Sequence, residues 1–234
     1  MRFPTGGIVR KPKGTIRCDS GTDGTVRMKE ATFLRRALSG ALFFWKEGIL
    51  MNTKKLATVG ILASLSVVLV WLVHVPVFPA VSFLEYDPAD IAILICGFAY
   101  GPVAGLIATL AAALVQGFTV SAQSGVYGIL MHVISTGTFM AVSSIIYNKN
   151  KTRKRAAIGI ACGALAMTAV MFLANLVVTP YFMMGAVNSE TVSVVLGLMP
   201  WILAFNLLKA GANGLVTFFL YKSLSRFLTN IGAK

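Results

Sequence analysis

Apolar runs of helical length dominate the chain after its first fifty residues. They lie at 55–75, 102–118, 125–147, 156–180 and 198–221. Each approaches the roughly 20 residues that a helix needs to cross the hydrocarbon layer of a membrane. A shorter run at 88–100 covers only about 20 Å as a helix, so we expect the loop before it to dip into the protein. The pattern predicts an all-α integral membrane protein with six transmembrane helices.

Basic residues are confined to alternate connections between these runs. Lys54 and Lys55 precede the first run, and further Lys and Arg residues fill 149–155 and follow the last run at 222, 226 and 234. The connections at 76–87, 119–124 and 181–197 contain no Lys or Arg. Because positively charged loops remain on the cytoplasmic side of a membrane, we predict that both termini are cytoplasmic.

The composition is that of a chain dissolved in lipid. Of its 234 residues, 56% are hydrophobic and only 12% are charged, whereas soluble domains carry about 25% charged residues. The net charge of +13 therefore does not indicate a nucleic-acid partner. In the membrane part we interpret it as an orientation signal.

The first fifty residues do not share the apolar pattern. Residues 1–50 hold 10 of the 21 Lys and Arg residues, and up to Lys29 they are rich in Gly, Thr and Pro. Such a segment has too little apolar content to build a core. We therefore expect a non-core extension at 1–50 and a six-helix membrane domain at 51–234, with translation starting at Met51.

Polar residues inside the predicted spans are the main candidates for a binding site. Asn206, Lys209 and Asn213 are spaced so that they share one face of the sixth helix. Lys209 lies about 16 Å from the outer end of that helix, too deep for its ammonium group to reach water comfortably. Because intramembrane charges are usually functional or paired, this polar stripe favours a ligand or ion site over simple helix packing. Asn175 in the fifth helix can face Asn206, as a ligand contact or as a packing contact.

The loop before the run at 88–100 is the most acidic part of the membrane domain. It contains Glu85 and Asp87, and Asp90 follows at the start of the run. Aspartate at 87, followed by Pro88 and a carboxylate at 90, is typical of a helix start. We therefore predict that Asp87 caps the helix and that Asp90 lies in its first turn. Glu85 and Tyr86 have no capping role and are stronger candidates for ligand contacts.

Two weaker signals also bear on function. Gln116 lies near the outer end of the third run and is a weaker candidate for a ligand contact. Ala57, Gly60 and Ser64 form a stripe of small residues on the first helix. Such a stripe permits close approach of another helix, either inside the bundle or in a partner protein, and the spacing does not distinguish the two.

Motifs for covalent or metal chemistry are missing from the sequence. His74 and His132 are isolated, and no metal-ligand, Walker or Gly-x-Ser-x-Gly motif occurs. We therefore expect no catalytic residues, no metal and no bound cofactor, and no hydrolysis of ATP by this chain. An intramembrane enzyme that uses His132 with Ser135 is the less favoured alternative.

Four sequence blocks carry a resemblance to a known family. They are Met-Asn-Thr-Lys-Lys-Leu-Ala at 51–57, Leu-Glu-Tyr-Asp-Pro-Ala-Asp-Ile at 84–91, Gly-Phe-Ala-Tyr-Gly-Pro-Val-Ala-Gly at 97–105 and Asn-Leu-Leu-Lys at 206–209. Together they resemble the riboflavin-specific substrate-binding (S) components of energy-coupling-factor (ECF) vitamin transporters. The resemblance covers essentially all of 51–234.

This resemblance implies a multi-pass protein of the bacterial inner membrane that binds riboflavin, with flavin mononucleotide (FMN) as a further ligand. It implies a pocket open to the outside and capped by the first external loop. The implied partners are a transmembrane coupling subunit, which docks on the stripe of small residues, and two ATPase subunits. The implied ligand contacts are Glu85, Asp87, Asn175, Asn206 and Lys209.

Two features qualify the resemblance. His132 stands where a polar amide is expected, so the resemblance supports no ligand contact from that helix. Back-translation of 21–29 gives a nucleotide pattern similar to the FMN riboswitch, and 3–10 resembles another of its segments. We therefore expect 1–37 to be regulatory RNA sequence read as protein.

An S component for thiamin or pantothenate is the alternative within the family.

Overall fold

The computed structural model describes the backbone of residues 53–232 and the side chains of residues 53–221. The predicted extension at 1–50 and the predicted start at Met51 lie outside the described residues. The predictions about them therefore remain predictions.

Six α-helices follow one another in the described part of the chain. They are α1 (Thr53–Leu72), α2 (Ala89–Tyr100), α3 (Pro102–Phe118), α4 (Gly125–Lys149), α5 (Arg153–Met184) and α6 (Ser189–Gly232). Two short antiparallel strands, β1 (Val75–Pro76) and β2 (Glu85–Tyr86), lie in the connection between α1 and α2. The predicted all-α class and the predicted number of helices are confirmed. Four of these helices, α1, α4, α5 and α6, are long and apolar enough to cross a membrane.

The short helix α2 is surrounded by protein. Ten of its 12 residues are buried, and it packs against α1, α3, α4 and α6. Because its side chains contact other helices, α2 can be apolar throughout although it is too short to span the hydrocarbon layer alone. The chain reverses after it at Gly101, whose φ of 94° is easily reached only by glycine.

Glycines on α5 set the spacing between α4 and α5. A Cβ atom at Gly159 would lie 2.8 Å from the main-chain oxygen of Ser143, and one at Gly163 would lie 2.8 Å from that of Phe139. Small residues four apart allow two membrane helices to approach closely. This contact fixes α4, which carries His132, against α5, which carries Asn175.

The predicted connection at 181–197 is wrong. Helix α5 runs to Met184 and α6 begins at Ser189. The start of α6 is fixed by a reciprocal cap, in which the Thr191 N–H donates to Asn188 Oδ1 (2.9 Å) and the Asn188 N–H donates to Thr191 Oγ1 (3.0 Å). Hydropathy placed the start at 198, after the polar residues of the first turn of α6. The Asn-x-x-Thr cap marks the true start.

The predicted start of α2 is wrong by one residue. The helix begins at Ala89, with Pro88 in the N-cap position. Asp87 still accepts a hydrogen bond from the Ala89 N–H at Oδ1 (3.1 Å). Asp90 lies in the first turn as predicted, but it is fully buried and bonded to other helices rather than turned to water.

Candidate functional site

A cavity of about 720 Å³, part of it open to solvent, lies among the helices and the α1–α2 loop, which we define as residues 73–88. Five of the predicted ligand contacts line it: Glu85, Asp87, Gln116, Asn206 and Lys209. The remaining lining residues are His74, Phe83, Leu84, Ala113, Gly117, Ser121, Ser124, Gly128, Ile129, Met131, His132, Ser135, Met171 and Phe205.

Lys209 is paired inside the bundle. Its Nζ atom donates to Asp87 Oδ2 at 2.7 Å, and both side chains are buried. Burial alone would raise the pKa of the Asp87 carboxyl, but the Lys209 charge, together with hydrogen bonds from Lys209 and the Ala89 N–H, outweighs burial and holds that pKa below its ordinary value. The pair links α6 to the α1–α2 loop and compensates a charge that would be costly alone in the membrane.

Asn213 connects α6 to both sides of the start of α2. Its Nδ2 atom donates to the main-chain oxygen of Asp87 (2.9 Å) and to Asp90 Oδ2 (2.9 Å), and its Oδ1 atom accepts from the Tyr86 hydroxyl (2.9 Å). Asp90 Oδ1 accepts from the Thr136 hydroxyl of α4 at 2.6 Å. These contacts define a closed polar network of Tyr86, Asp87, Asp90, Thr136 and Asn213.

Glu85 is engaged near the mouth of the cavity. Its Oε2 atom lies 2.7 Å from Nε2 of His74, at the other end of the α1–α2 loop. The same two regions are joined by the β1–β2 pairing, in which Pro76 lies opposite Glu85 and Val75 opposite Tyr86. The contact ties the two arms of the loop together beside the cavity.

Two nitrogen atoms at the cavity lack partners. Nε2 of Gln116 on α3 and Nε2 of His132 on α4 are buried and have no hydrogen bond to any described residue. Both residues line the cavity. Buried polar groups are nearly always hydrogen-bonded, so a donor or acceptor in the cavity is needed to complete them.

Asn206 and Asn175 line two neighbouring cavities. Asn206 lines the larger one and donates to the Ile202 main-chain oxygen at 2.8 Å. Asn175 lines a smaller cavity, donates to the Met171 oxygen at 2.7 Å and accepts from Thr179 at 2.7 Å. The two cavities share Phe83, Leu84, Ser124, Gly128 and Met131 in their linings.

The stripe of small residues on α1 lies on the outside of the described bundle. Ala57, Gly60 and Ser64 are exposed, and a Cβ atom at Gly60 would meet no atom within 4 Å. Packing inside the bundle, one of the two readings of this stripe, is therefore excluded for the described part of the chain.

Sequence reasoning missed part of this arrangement. It treated Asp90 as a helix-start residue, although its carboxylate is shared by Thr136 and Asn213. It gave no ligand contact to His132, although this side chain lines the cavity without a partner. Tyr86 was predicted as a site residue, but its hydroxyl bonds Asn213 and it does not line the cavity. Helical spacing does not show that Asp90 lies near Asn213, because that requires knowing that α2 packs against α6.

The six-helix bundle with its polar-lined cavity defines a multi-pass membrane protein with a small-molecule site. Residues 54–221 match a protein family described as "ECF transporter, substrate-specific component". The chain therefore belongs to the S components of ECF transporters. Members of this family are binding subunits of bacterial membrane transporters rather than enzymes, and they work with an energy-coupling module.

Two relatives and one solved structure are similar to this chain over most of its length. The riboflavin transporter RibU of Staphylococcus aureus (strain TCH60) is 26% identical over 189 residues, covering 78% of this chain and 96% of that protein. The riboflavin transporter FmnP of Bacillus subtilis (strain 168) is 28% identical over 168 residues, covering 68% and 85%. A solved S component of a bacterial ECF transporter has the same fold, with a TM-score of 0.62 and 24% identity over 75% of this chain and 97% of that one.

Proposed function

We propose that this chain is a riboflavin-binding S component, which captures the vitamin from outside and releases it inward when docked to an ATP-driven module. One observation carries the proposal: Asn206 and Lys209 line the same cavity as Gln116 and His132, whose Nε2 atoms have no hydrogen-bond partner among the described residues. The names of the relatives from Staphylococcus aureus and Bacillus subtilis support riboflavin as the ligand.

The chemistry of riboflavin suits this lining. Its isoalloxazine ring is flat and largely apolar, and its imide edge offers carbonyl acceptors beside one N–H donor. The side-chain amides of Asn206 and Asn175 can both donate and accept hydrogen bonds, and Lys209 supplies charge-assisted donors for a ring carbonyl. Glu85, near the mouth of the cavity, is placed to accept from the ribityl hydroxyls.

The charges of the cavity favour riboflavin over FMN. Lys209 is the only Lys or Arg among the lining residues of the described chain, and it is already paired with Asp87. A phosphate at the end of the ribityl chain would lie near the carboxylate of Glu85, whereas Lys209 is assigned to the flavin ring, so the phosphate would have no basic partner of its own. We therefore expect FMN to bind more weakly than riboflavin.

A competition titration tests the ligand. The full chain is purified in detergent and titrated with riboflavin while flavin fluorescence is followed, and then challenged with unlabelled thiamin, pantothenate or FMN. We expect quenching by binding of riboflavin, weak displacement by FMN and none by the other two vitamins. Displacement of riboflavin by thiamin or pantothenate at similar concentration would contradict the proposed specificity.

We further propose that the stripe of Ala57, Gly60 and Ser64 docks on a transmembrane coupling subunit, which two ATPase subunits drive. Because Gly60 faces open space, Gly60→Leu should leave the bundle intact but prevent close approach of a partner helix. Gly211→Leu, an exposed glycine of α6 with open space around it, is the matched control. We expect riboflavin uptake by cells to be lost only in Gly60→Leu, with binding by the purified protein unchanged in both. Equal uptake in the two variants would contradict docking at this stripe.

The proposed direction of transport requires both termini to be cytoplasmic. In a background with the three cysteines replaced by alanine, a membrane-impermeant thiol reagent should label Ala186→Cys in the connection before α6. It should not label Lys151→Cys in the basic connection before α5, because that loop is cytoplasmic in this topology. The opposite labelling pattern would contradict it.

A further inference from the structure

Asp87 is fixed by three donors. Its main-chain oxygen accepts from Asn213 Nδ2 (2.9 Å), its Oδ1 atom from the Ala89 N–H (3.1 Å) and its Oδ2 atom from Lys209 Nζ (2.7 Å). The residue is 7% exposed. Each carboxylate oxygen thus accepts one hydrogen bond from the protein, and together these bonds fix the side chain where it pairs with Lys209.

Lys209 is in the opposite situation. An ammonium group has three N–H donors, and among the described residues Lys209 uses one of them, on Asp87. The residue lines the cavity together with Asn206, one helical turn before it on α6. The remaining donors are therefore available for an acceptor in the cavity, while the carboxylate compensates the buried charge.

We infer that Asp87 is a positioning residue, which holds the Lys209 ammonium in place for the ligand and does not contact the ligand itself. This inference rests on the proposed function, because it assigns Lys209 to the ring of a flavin. It changes the expectation from the family resemblance, which put Asp87 among the direct ligand contacts. Asn213 supports the arrangement by fixing the main chain of Asp87 independently of the ion pair.

Two flavins separate a direct from an indirect role. Lumiflavin has the ring of riboflavin with a methyl group in place of the ribityl chain. If Asp87 acts through Lys209 on the ring, Asp87→Asn should weaken both ligands by the same factor, about tenfold. Glu85→Gln is the matched control on the same loop, and it should weaken riboflavin while leaving lumiflavin unchanged.

A double-mutant cycle gives the second readout. Binding of both flavins to the full chain is measured for wild type, Asp87→Asn, Lys209→Met and the double variant, after gel filtration shows monodisperse protein. We expect the Asp87 change to add less than about twofold once Lys209 is replaced, since residues that act as a unit are not additive. If Asp87→Asn does not yield monodisperse protein, Asp87→Glu takes its place in the cycle, because it keeps the charge and moves the carboxylate by one methylene.

The outcomes separate this inference from the proposed function. Loss of riboflavin but not lumiflavin binding in Asp87→Asn, with independent effects in the double variant, would overturn the positioning role and leave the proposed function intact. A wild-type chain that binds neither flavin would overturn both. Equal losses for the two flavins together with non-additivity support the inference.

Discussion

Two groups of polar residues lie in or next to the cavity lining, and they differ in whether other protein groups provide their hydrogen bonds. The closed polar network of Tyr86, Asp87, Asp90, Thr136 and Asn213 has a partner for each side chain. On the α3 and α4 walls, nitrogens of Gln116 and His132 have none among the described residues. A network in which every polar group is hydrogen-bonded stabilises the fold. An unpartnered buried nitrogen gains a hydrogen bond only from a molecule in the cavity. The contrast separates polar groups that bond other protein groups from polar groups that are open to a molecule in the cavity.

The largest effect should come from breaking the closed polar network. Asn213→Leu leaves Asp90, the Asp87 carbonyl and the Tyr86 hydroxyl each short of a partner, so we expect the free energy of unfolding to fall by about 3 kcal/mol or more. Unfolding of the ligand-free protein in a denaturing detergent series measures it.

Thr168→Val is the control for that measurement. The Thr168 hydroxyl bonds only the Ala164 carbonyl of its own helix at 2.8 Å, so its loss should change stability by less than about 1 kcal/mol. Similar stabilities for Asn213→Leu and Thr168→Val would show that the closed polar network does not stabilise the fold.

A smaller but still large effect on binding should follow changes to the polar stripe that faces the cavity. Removing a charge-assisted hydrogen bond costs about 1.5–3 kcal/mol, or roughly 10- to 150-fold in affinity. We expect Asn206→Ala and Lys209→Met each to weaken riboflavin binding within that range, as measured by fluorescence titration. Wild-type affinity in both variants would place the ligand elsewhere and leave Lys209 with its structural pairing to Asp87 alone.

The smallest effect should come from removing an unpartnered nitrogen of the cavity lining, and it should change affinity alone. His132→Phe keeps a ring and removes the unpartnered nitrogen, so riboflavin should bind about 3- to 10-fold more weakly. Stability of the ligand-free protein should not fall, because no existing hydrogen bond of Nε2 is lost.

Ser143→Ala is a matched control on the same helix. The Ser143 hydroxyl is also buried without a partner among the described residues, but Ser143 does not line the cavity. We expect its affinity for riboflavin to equal that of wild type. A loss of affinity in Ser143→Ala as large as in His132→Phe would remove the distinction between cavity-facing and other unpartnered groups.

Much of the fold follows from hydropathy alone. The number of helices, their approximate positions and the burial of Asn206, Lys209 and Asn213 on one face were predicted, because apolar content and helical spacing are local properties. The start of α6 was predicted too late because the prediction followed hydropathy, whereas the Asn188–Thr191 cap marks the first residue of the helix.

The site was less predictable because partners come from distant parts of the chain. Lys209 is 122 residues from Asp87, and the Asn213 contact with Asp90 spans 123. Sequence spacing placed Lys209 at a costly depth but did not name its counter-charge. For His132 the only signal was a polar side chain in an apolar helix, and whether it is satisfied depends on tertiary contacts.

The most direct test of the account is the visible absorption spectrum of the full chain, purified from cells grown with riboflavin. If the cavity holds riboflavin, the preparation should be yellow, with flavin absorption bands from flavin bound in equimolar amount and released on denaturation. A colourless preparation that also fails to quench added riboflavin would contradict the claim that this cavity holds the vitamin.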